Sequence, residues 1–183
     1  MATLLAPEHL PNKDAERGHY LHHENDPADP GYRAFLDKLV APLARQLAPR
    51  SQGLDYGCGT GPAGAAMLRE AGHHVTEYDP FFRPDRSALE RSYDFILCAE
   101  VIEHFHRPAE EFDRLDALLR PGGRLGIMTC FQTDDADFAG WHYRRDPTHV
   151  VFYREETLRQ IARDRRWECR IPAKDVALMR KPQ

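Results

Sequence analysis

Cysteine is scarce: the 183 residues hold four, Cys58, Cys98, Cys130 and Cys169, and no two are spaced as a CxxC pair. That excludes a disulfide framework and a zinc finger. No apolar run approaches the ~20 residues a membrane-crossing helix needs, and the N-terminal residues lack the apolar stretch of a signal segment. Positive charge is also short. Lys and Arg number 25 against 29 Asp and Glu, a net charge of −4, so no general field attracts nucleic acid or anionic lipid. Repeats and low-complexity segments are absent. These absences predict one cytoplasmic globular unit, long enough to bury its own core, with no membrane or nucleic-acid partner.

The charge that is present is unevenly spread. Residues 1–143 carry a net −9, whereas residues 144–170 hold eight Arg against five acids. Interleaved acids mark that stretch as a solvated helix face rather than a phosphate-binding surface.

Residues 1–50 read as a helical N-terminal lead-in or cap. Asn12 caps a short helix through His22, and breakers follow from His23 to Gly31. A second helix runs from Tyr32 to Leu47, with Pro42 bending or dividing it. Residues 51–183 alternate strand and helix. Strands are expected at Gly53–Tyr56, His74–Tyr78, Tyr93–Cys98 and Arg124–Thr129, and helices at Pro62–Ala71, Pro108–Leu119 and Arg154–Arg165. Trp167–Ile171 and Val176–Met179 form a closing antiparallel pair. The fold class is therefore α/β and Rossmann-like, a mostly parallel sheet with helices on both faces. In such sheets ligands bind outside the carboxyl ends of the strands.

Three motifs fall at those ends. Leu54-Asp55-Tyr56-Gly57-Cys58-Gly59-Thr60-Gly61-Pro62 is a strand-to-helix turn whose alternating glycines let backbone approach a ligand closely. Asp55 precedes them and suits a cationic or amine-bearing group. Gly59-Thr60-Gly61-Pro62-Ala63-Gly64 also spells the GxGxxG of dinucleotide sites. Asp79 ends the next strand, about 20 residues on, where an acid grips ribose hydroxyls; a turn-capping Asp before Pro80 is the equally weighted alternative. The third motif is Glu100-Val101-Ile102-Glu103-His104. Glycines and acid together indicate an adenosine-type ligand.

With Tyr93-Asp94-Phe95-Ile96-Leu97-Cys98 and Leu119-Arg120-Pro121-Gly122-Gly123-Arg124-Leu125 added in order, the chain resembles the class I S-adenosylmethionine-dependent methyltransferases, and within them the small bacterial ubiquinone-biosynthesis-like branch. The similarity spans residues 51–129, and His149–Tyr153 with Thr157-Leu158 extends it. The resemblance implies S-adenosyl-L-methionine as cofactor. It places Asp55, Gly57, Cys58, Gly59 and Gly61 beside the methionine part, Asp79 and Pro80 at the ribose, and Cys98, Glu100 and Val101 along the site, with Tyr20 and His23 closing from the N-terminal side. One departure stands out. Only 13 residues, Pro80 to Ser92, separate the second strand from the Tyr93 strand. The usual third strand and its adenine-contacting acid are compressed or missing, which leaves Phe81 and Phe82 to cover the adenine.

Methyl transfer from a sulfonium mainly requires that nucleophile, methyl and sulfur be held in line. A base is needed where the acceptor must lose a proton, and the candidates are His104, His142 and His149, with Glu103 and Tyr143 as neighbours. The segment Trp141–His149, aromatic and rich in Arg and His, reads as a substrate wall or lid. The histidines at 19, 22 and 23 gain no carboxylate or cysteine nearby, so no metal set is expected. A small-molecule O- or N-nucleophile is the expected acceptor. The alternatives are an NAD-binding oxidoreductase, which shares the GxGxxG match, and a non-catalytic adenosyl-cofactor-binding module.

Overall fold

The structure is a computed structural model and describes residues 2–22, 25–133, 136 and 138–183. In chain order its strands are β1 (Thr3–Leu4), β2 (Gln52–Tyr56), β3 (His74–Tyr78), β4 (Tyr93–Ala99), β5 (Leu119–Met128), β6 (Val151–Phe152), β7 (Glu168–Ala173) and β8 (Val176–Arg180). The helices are α1 (Lys13–Tyr20), α2 (Pro30–Ala44), α3 (Ala63–Glu70), α4 (Pro108–Leu118) and α5 (Glu155–Asp164).

Six strands form one sheet in the order β3-β2-β4-β5-β8-β7. The first four are parallel, and β8 and β7 close the far edge antiparallel. This is the Rossmann-like arrangement the alternation implied. β4 is apolar on both faces because the sheet is covered on both sides: Phe95 and Leu97 pack toward Leu39, Leu43 and Leu68, while Ile96 and Cys98 pack toward Phe112, Leu115 and Tyr153. Between β3 and β4 stands only a short 3-10 turn, Arg86–Glu90, so β3 is the sheet edge and the expected shortening is real.

The caps follow the sequence. The Asn12 side chain accepts the Ala15 amide at 2.9 Å, and Asp29 accepts the Tyr32 amide with Pro30 opening α2. Two expectations need correction, and one pairing is new. Pro42 does not divide α2; it lies in the last turn, and the helix ends at Ala44 rather than Leu47. Strand β5 begins at Leu119, opposite Tyr93, and its regular ladder resumes at Arg124 opposite Phe95. The Arg120–Gly123 breakers are thus a bulge within the strand rather than a loop before it. Finally, β1 pairs antiparallel with β6. Two residues on each side are too few for any periodic signal.

Candidate functional site

At the carboxyl ends of β2, β3 and β4 lies a cavity of ≈ 550 Å³. One wall is the glycine turn. Each of its glycines is there for a different reason. Gly57 has φ +76°, and a Cβ on it would stand 2.7 Å from both Val101 methyls. A Cβ on Gly61 would meet the Asn25 carbonyl oxygen at 1.6 Å, so this glycine admits the backbone of the N-terminal segment. Only Gly59 turns an open face to the cavity: its φ is +63° and a Cβ would find nothing nearer than 3.6 Å. That open cradle is what a ligand pressed against backbone requires.

Two carboxylates complete this wall. Asp55 accepts the Ala65 amide at 3.1 Å, near the start of α3, and is 5% exposed; burial lifts its carboxyl to about 7. Asp79 accepts the Phe81 and Phe82 amides on Oδ1, at 2.8 and 3.0 Å, and the Gly59 amide on Oδ2 at 3.0 Å. It therefore ties the end of β3 to the glycine turn while lining the cavity. Phe81 and Phe82 line it as well. The Tyr20 ring lies edge-on to Phe81 and to His104, at centroid distances of 5.5 and 5.2 Å, bringing α1 over the opening.

The opposite wall is built from β4's end and the 141–149 segment. Glu100 has φ +54°, a strained conformation for a residue with a side chain, and its amide donates to Met128 O at 2.9 Å. Tyr143 is buried. Its hydroxyl donates to Glu103 and lies 3.1 Å from both Glu100 Oε2 and Thr129 Oγ1. Burial pushes both Glu100 and Glu103 well above the ordinary carboxylate range, and the Glu103 charge adds to the shift of Glu100. His104 Nδ1 lies 2.9 Å from Thr148 O, and His149 Nδ1 lies 2.6 Å from Tyr143 O. A carbonyl can only accept, so in each neutral ring Nδ1 carries the proton and Nε2 the basic lone pair. The Val150 amide donates to Glu103 O at 2.8 Å and clamps the two segments together.

The cavity thus brings together Tyr20, Asp55, Gly57, Cys58, Gly59, Gly61, Asp79, Pro80, Glu100, Val101, His104 and His149. It leaves two candidates out. Cys98 is fully buried in the core beneath the site. His142 is exposed and borders neither this cavity nor the smaller one beside it. His23 lies outside the described residues. Asn25, Tyr32 and Asp146, none of them singled out as a site residue by the sequence, also line the cavity. Asp146 is the most consequential. Burial would raise its carboxyl, but hydrogen bonds from Thr148 and His19 outweigh that and hold it at about 2. The reading of Trp141–His149 as a substrate wall or lid includes this position, but an acid before a proline does not stand out within it. Trp141 tilts against Phe152 at 5.8 Å, so the lid segment is anchored to the body through it. A smaller cavity of ≈ 230 Å³ adjoins, sharing Asp146 and His149 with the first and bounded by Trp141, Arg144 and Arg145. His73 is buried, and His106 bonds the buried Glu16 at 2.8 Å.

Comparison with known proteins agrees with this architecture. The model of the methyltransferase domain family matches residues 21–170. The ubiquinone biosynthesis O-methyltransferase of Aeromonas salmonicida is 33% identical over 42% of this chain and 42% of its own length, so the chain spans less than half of the curated relatives it matches. Among solved structures, the Burkholderia thailandensis 1,6-didemethyltoxoflavin-N1-methyltransferase, with bound 1,6-didemethyltoxoflavin and S-adenosylhomocysteine, superposes with a TM-score of 0.65 at 22% identity, covering 99% of this chain and 92% of that one. An S-adenosylmethionine-dependent methyltransferase from Archaeoglobus fulgidus gives 0.57 at 19% identity, covering 74% and 67%. Among the described residues no helix is long and apolar enough to cross a membrane.

Proposed function

The chain belongs to the methyltransferase domain family, and from that premise we propose that it transfers a methyl group from S-adenosyl-L-methionine to a small-molecule O- or N-nucleophile. One observation carries the reading: a single cavity has an open glycine cradle with two acids on one wall and an acid–histidine cluster on the other. When bound, the cofactor supplies a methyl group already activated on a sulfonium. The protein's task is then to position and to manage one proton.

The residues present fit that cofactor. Gly59 leaves room for its close approach. Asp55 offers a carboxylate to an amine, and an amine would draw its raised pKa back down. Asp79 keeps acceptor capacity on Oδ2, which takes one amide, toward ribose hydroxyls. Phe81, Phe82 and Tyr20 offer aromatic faces for the base where a third strand is missing. On the far wall His104 and His149 present the proton-accepting nitrogen, and their Nδ1 bonds fix its orientation. The GxGxxG match is shared with nicotinamide enzymes, but the family does not support that cofactor.

Calorimetry with S-adenosylhomocysteine and with NAD tests the cofactor: binding of the first and none of the second is expected, and the reverse would overturn the reading. Release of S-adenosylhomocysteine across a panel of hydroxyl- and amine-bearing acceptors tests turnover. Tight cofactor binding with no release on any acceptor would favour a module that binds without chemistry.

A further inference from the structure

The far wall holds a group of side chains that proton transfer does not fully explain. Glu103, His104 and His149 each place one potential ligand atom within 4.8 Å of the other two. The first two are neighbours on the turn Ile102–His104 after β4, and the third arrives 45 residues later on the segment leading to β6. Such convergence from separate segments, clamped by the Val150 amide on Glu103 O, is how metal sites are assembled.

Two further observations point to a cation. Glu103 is fully buried. Tyr143 donates to its Oε1, but its Oε2 has no hydrogen-bond partner. A buried carboxylate oxygen left without a donor is costly, and a metal ion is one of the few groups that satisfies it. In addition, both imidazoles are held through Nδ1 by backbone carbonyls, the outer-shell arrangement that orients a metal-binding histidine and selects Nε2 as its ligand atom. Asp146 Oδ2, 3.8 Å from His149 Nε2, adds a second acid beside the group.

We propose that Glu103, His104 and His149 bind a divalent first-row transition ion. Two imidazoles and one carboxylate suit zinc or manganese better than magnesium or calcium, which prefer all-oxygen sites. Because His104 and His149 both line the large cavity, the remaining coordination positions face the space opposite the glycine cradle. With both Nε2 lone pairs on the ion neither histidine serves as the base, and a hydroxyl acceptor bound there loses its proton to solvent more readily; its oxygen forms the new bond to carbon as the carbon–sulfur bond breaks with its electron pair left on sulfur. This role narrows the acceptor to an oxygen nucleophile and rests on the proposed transferase reading. Binding of the ion does not.

The experiment is therefore a metal titration without cofactor. Chelator-treated protein is titrated calorimetrically with Zn(II), Mn(II) and Mg(II), and with Co(II) while visible absorption is recorded. Expected are one site per chain for Zn(II) or Mn(II), at least about tenfold tighter than Mg(II), and cobalt bands of nitrogen ligation. His104→Gln and His149→Gln, both cavity-lining and tolerant of repacking, should each weaken Zn(II) or Mn(II) at least about tenfold. Circular dichroism and a thermal melt matching the parent serve as the folding control. Glu103→Gln, expected to weaken the ion by a similar factor, tests the third ligand. Equal millimolar binding of all ions, or affinity unchanged in both histidine variants, overturns the site. Failure of S-adenosylhomocysteine binding in the parent overturns the transferase reading while leaving the metal titration to stand by itself.

Discussion

The two walls of the cleft are made in opposite ways. The glycine wall is local: Asp55, the three glycines and Asp79 lie within 25 residues, and their contacts are largely backbone amides to nearby carboxylates. The far wall is non-local, joining Glu100 and Glu103 to Tyr143 across 43 and 40 residues and His104 to Thr148 across 44. The first is fixed by turn geometry, the second by side chains that must find each other. A local turn tolerates changes in its surroundings but not in its backbone. An assembled cluster tolerates backbone drift at its edges but not the loss of a partner.

The largest effect should come from the turn itself. Gly57→Val combines a left-handed φ with collision against Val101 at 2.7 Å, so both the melting temperature and S-adenosylhomocysteine binding should fall sharply. At Gly59 a Cβ would meet no protein atom nearer than 3.6 Å. Gly59→Val should lose most of its cofactor affinity while giving up only the ~1–2 kcal/mol of a left-handed residue with a side chain. Calorimetry paired with a thermal melt separates the two. If Gly59→Val binds like the parent, the cradle is not where the cofactor lies.

Asp79→Ala comes next, expected to weaken S-adenosylhomocysteine by about 1–3 kcal/mol, the usual cost of removing hydrogen bonds to a charged group. Because the carboxylate also accepts three amides, a melt should fall with it. Undiminished affinity in a variant that has lost stability would make Asp79 a turn residue only, the alternative its position before Pro80 already suggested.

How much of this was readable in the sequence follows the same division. Local features were visible: the Asn12 cap, the glycine turn, the buried β4, and the missing third strand counted from the short gap after Asp79. The far wall was glimpsed only as residue types. Glu103, His104, Tyr143 and His149 were noted, but nothing in their spacing says that Tyr143 reaches Glu103 while its neighbour His142 points to solvent. Sequence proximity directs a search for metal ligands to the histidines at 19, 22 and 23, where no carboxylate or cysteine completes a set. The convergent set draws on residues 103, 104 and 149, and only the folded chain places them side by side.

Asp55 offers a pH-dependent test of the local wall. Its pKa rises from about 3.9 in the unfolded chain to about 7 when buried in the fold. A group whose folded pKa is raised contributes fully to stability below its unfolded value, here about 3.9, and that contribution is lost as pH climbs through about 7. A side-chain amide at this position would carry no such penalty, and its oxygen can still accept the Ala65 amide. Asp55→Asn should therefore raise the melting temperature by a few degrees at pH 8 and hardly at all at pH 4. Its S-adenosylhomocysteine affinity at pH 8 should drop in the same samples. A gain of equal size at both pH values would mean that the burial of a charge is not what Asp55 costs.

The smallest expected effect is the sharpest check on the far wall. His142 and Tyr143 are adjacent, yet His142 is exposed and borders neither cavity, whereas Tyr143 is buried between Glu103, Glu100 and Thr129. The nearest rings to His142, those of Trp141 and Tyr143, are 6.4 Å away. Its replacement removes little buried area and no buried bond, so His142→Ala should change stability by no more than about 0.5 kcal/mol. Cofactor affinity and methyl transfer should match the parent. His149→Ala, seven positions on, should leave cofactor affinity nearly intact and lower transfer by about 10²-fold or more, since it removes a group that faces the acceptor. The contrast needs an acceptor found in the panel and a single readout, S-adenosylhomocysteine released per unit time. Equal losses in the two variants would mean that the 141–149 segment acts as a whole in covering the acceptor, and that the division between a cavity-lining His149 and a solvent-facing His142 does not hold during turnover.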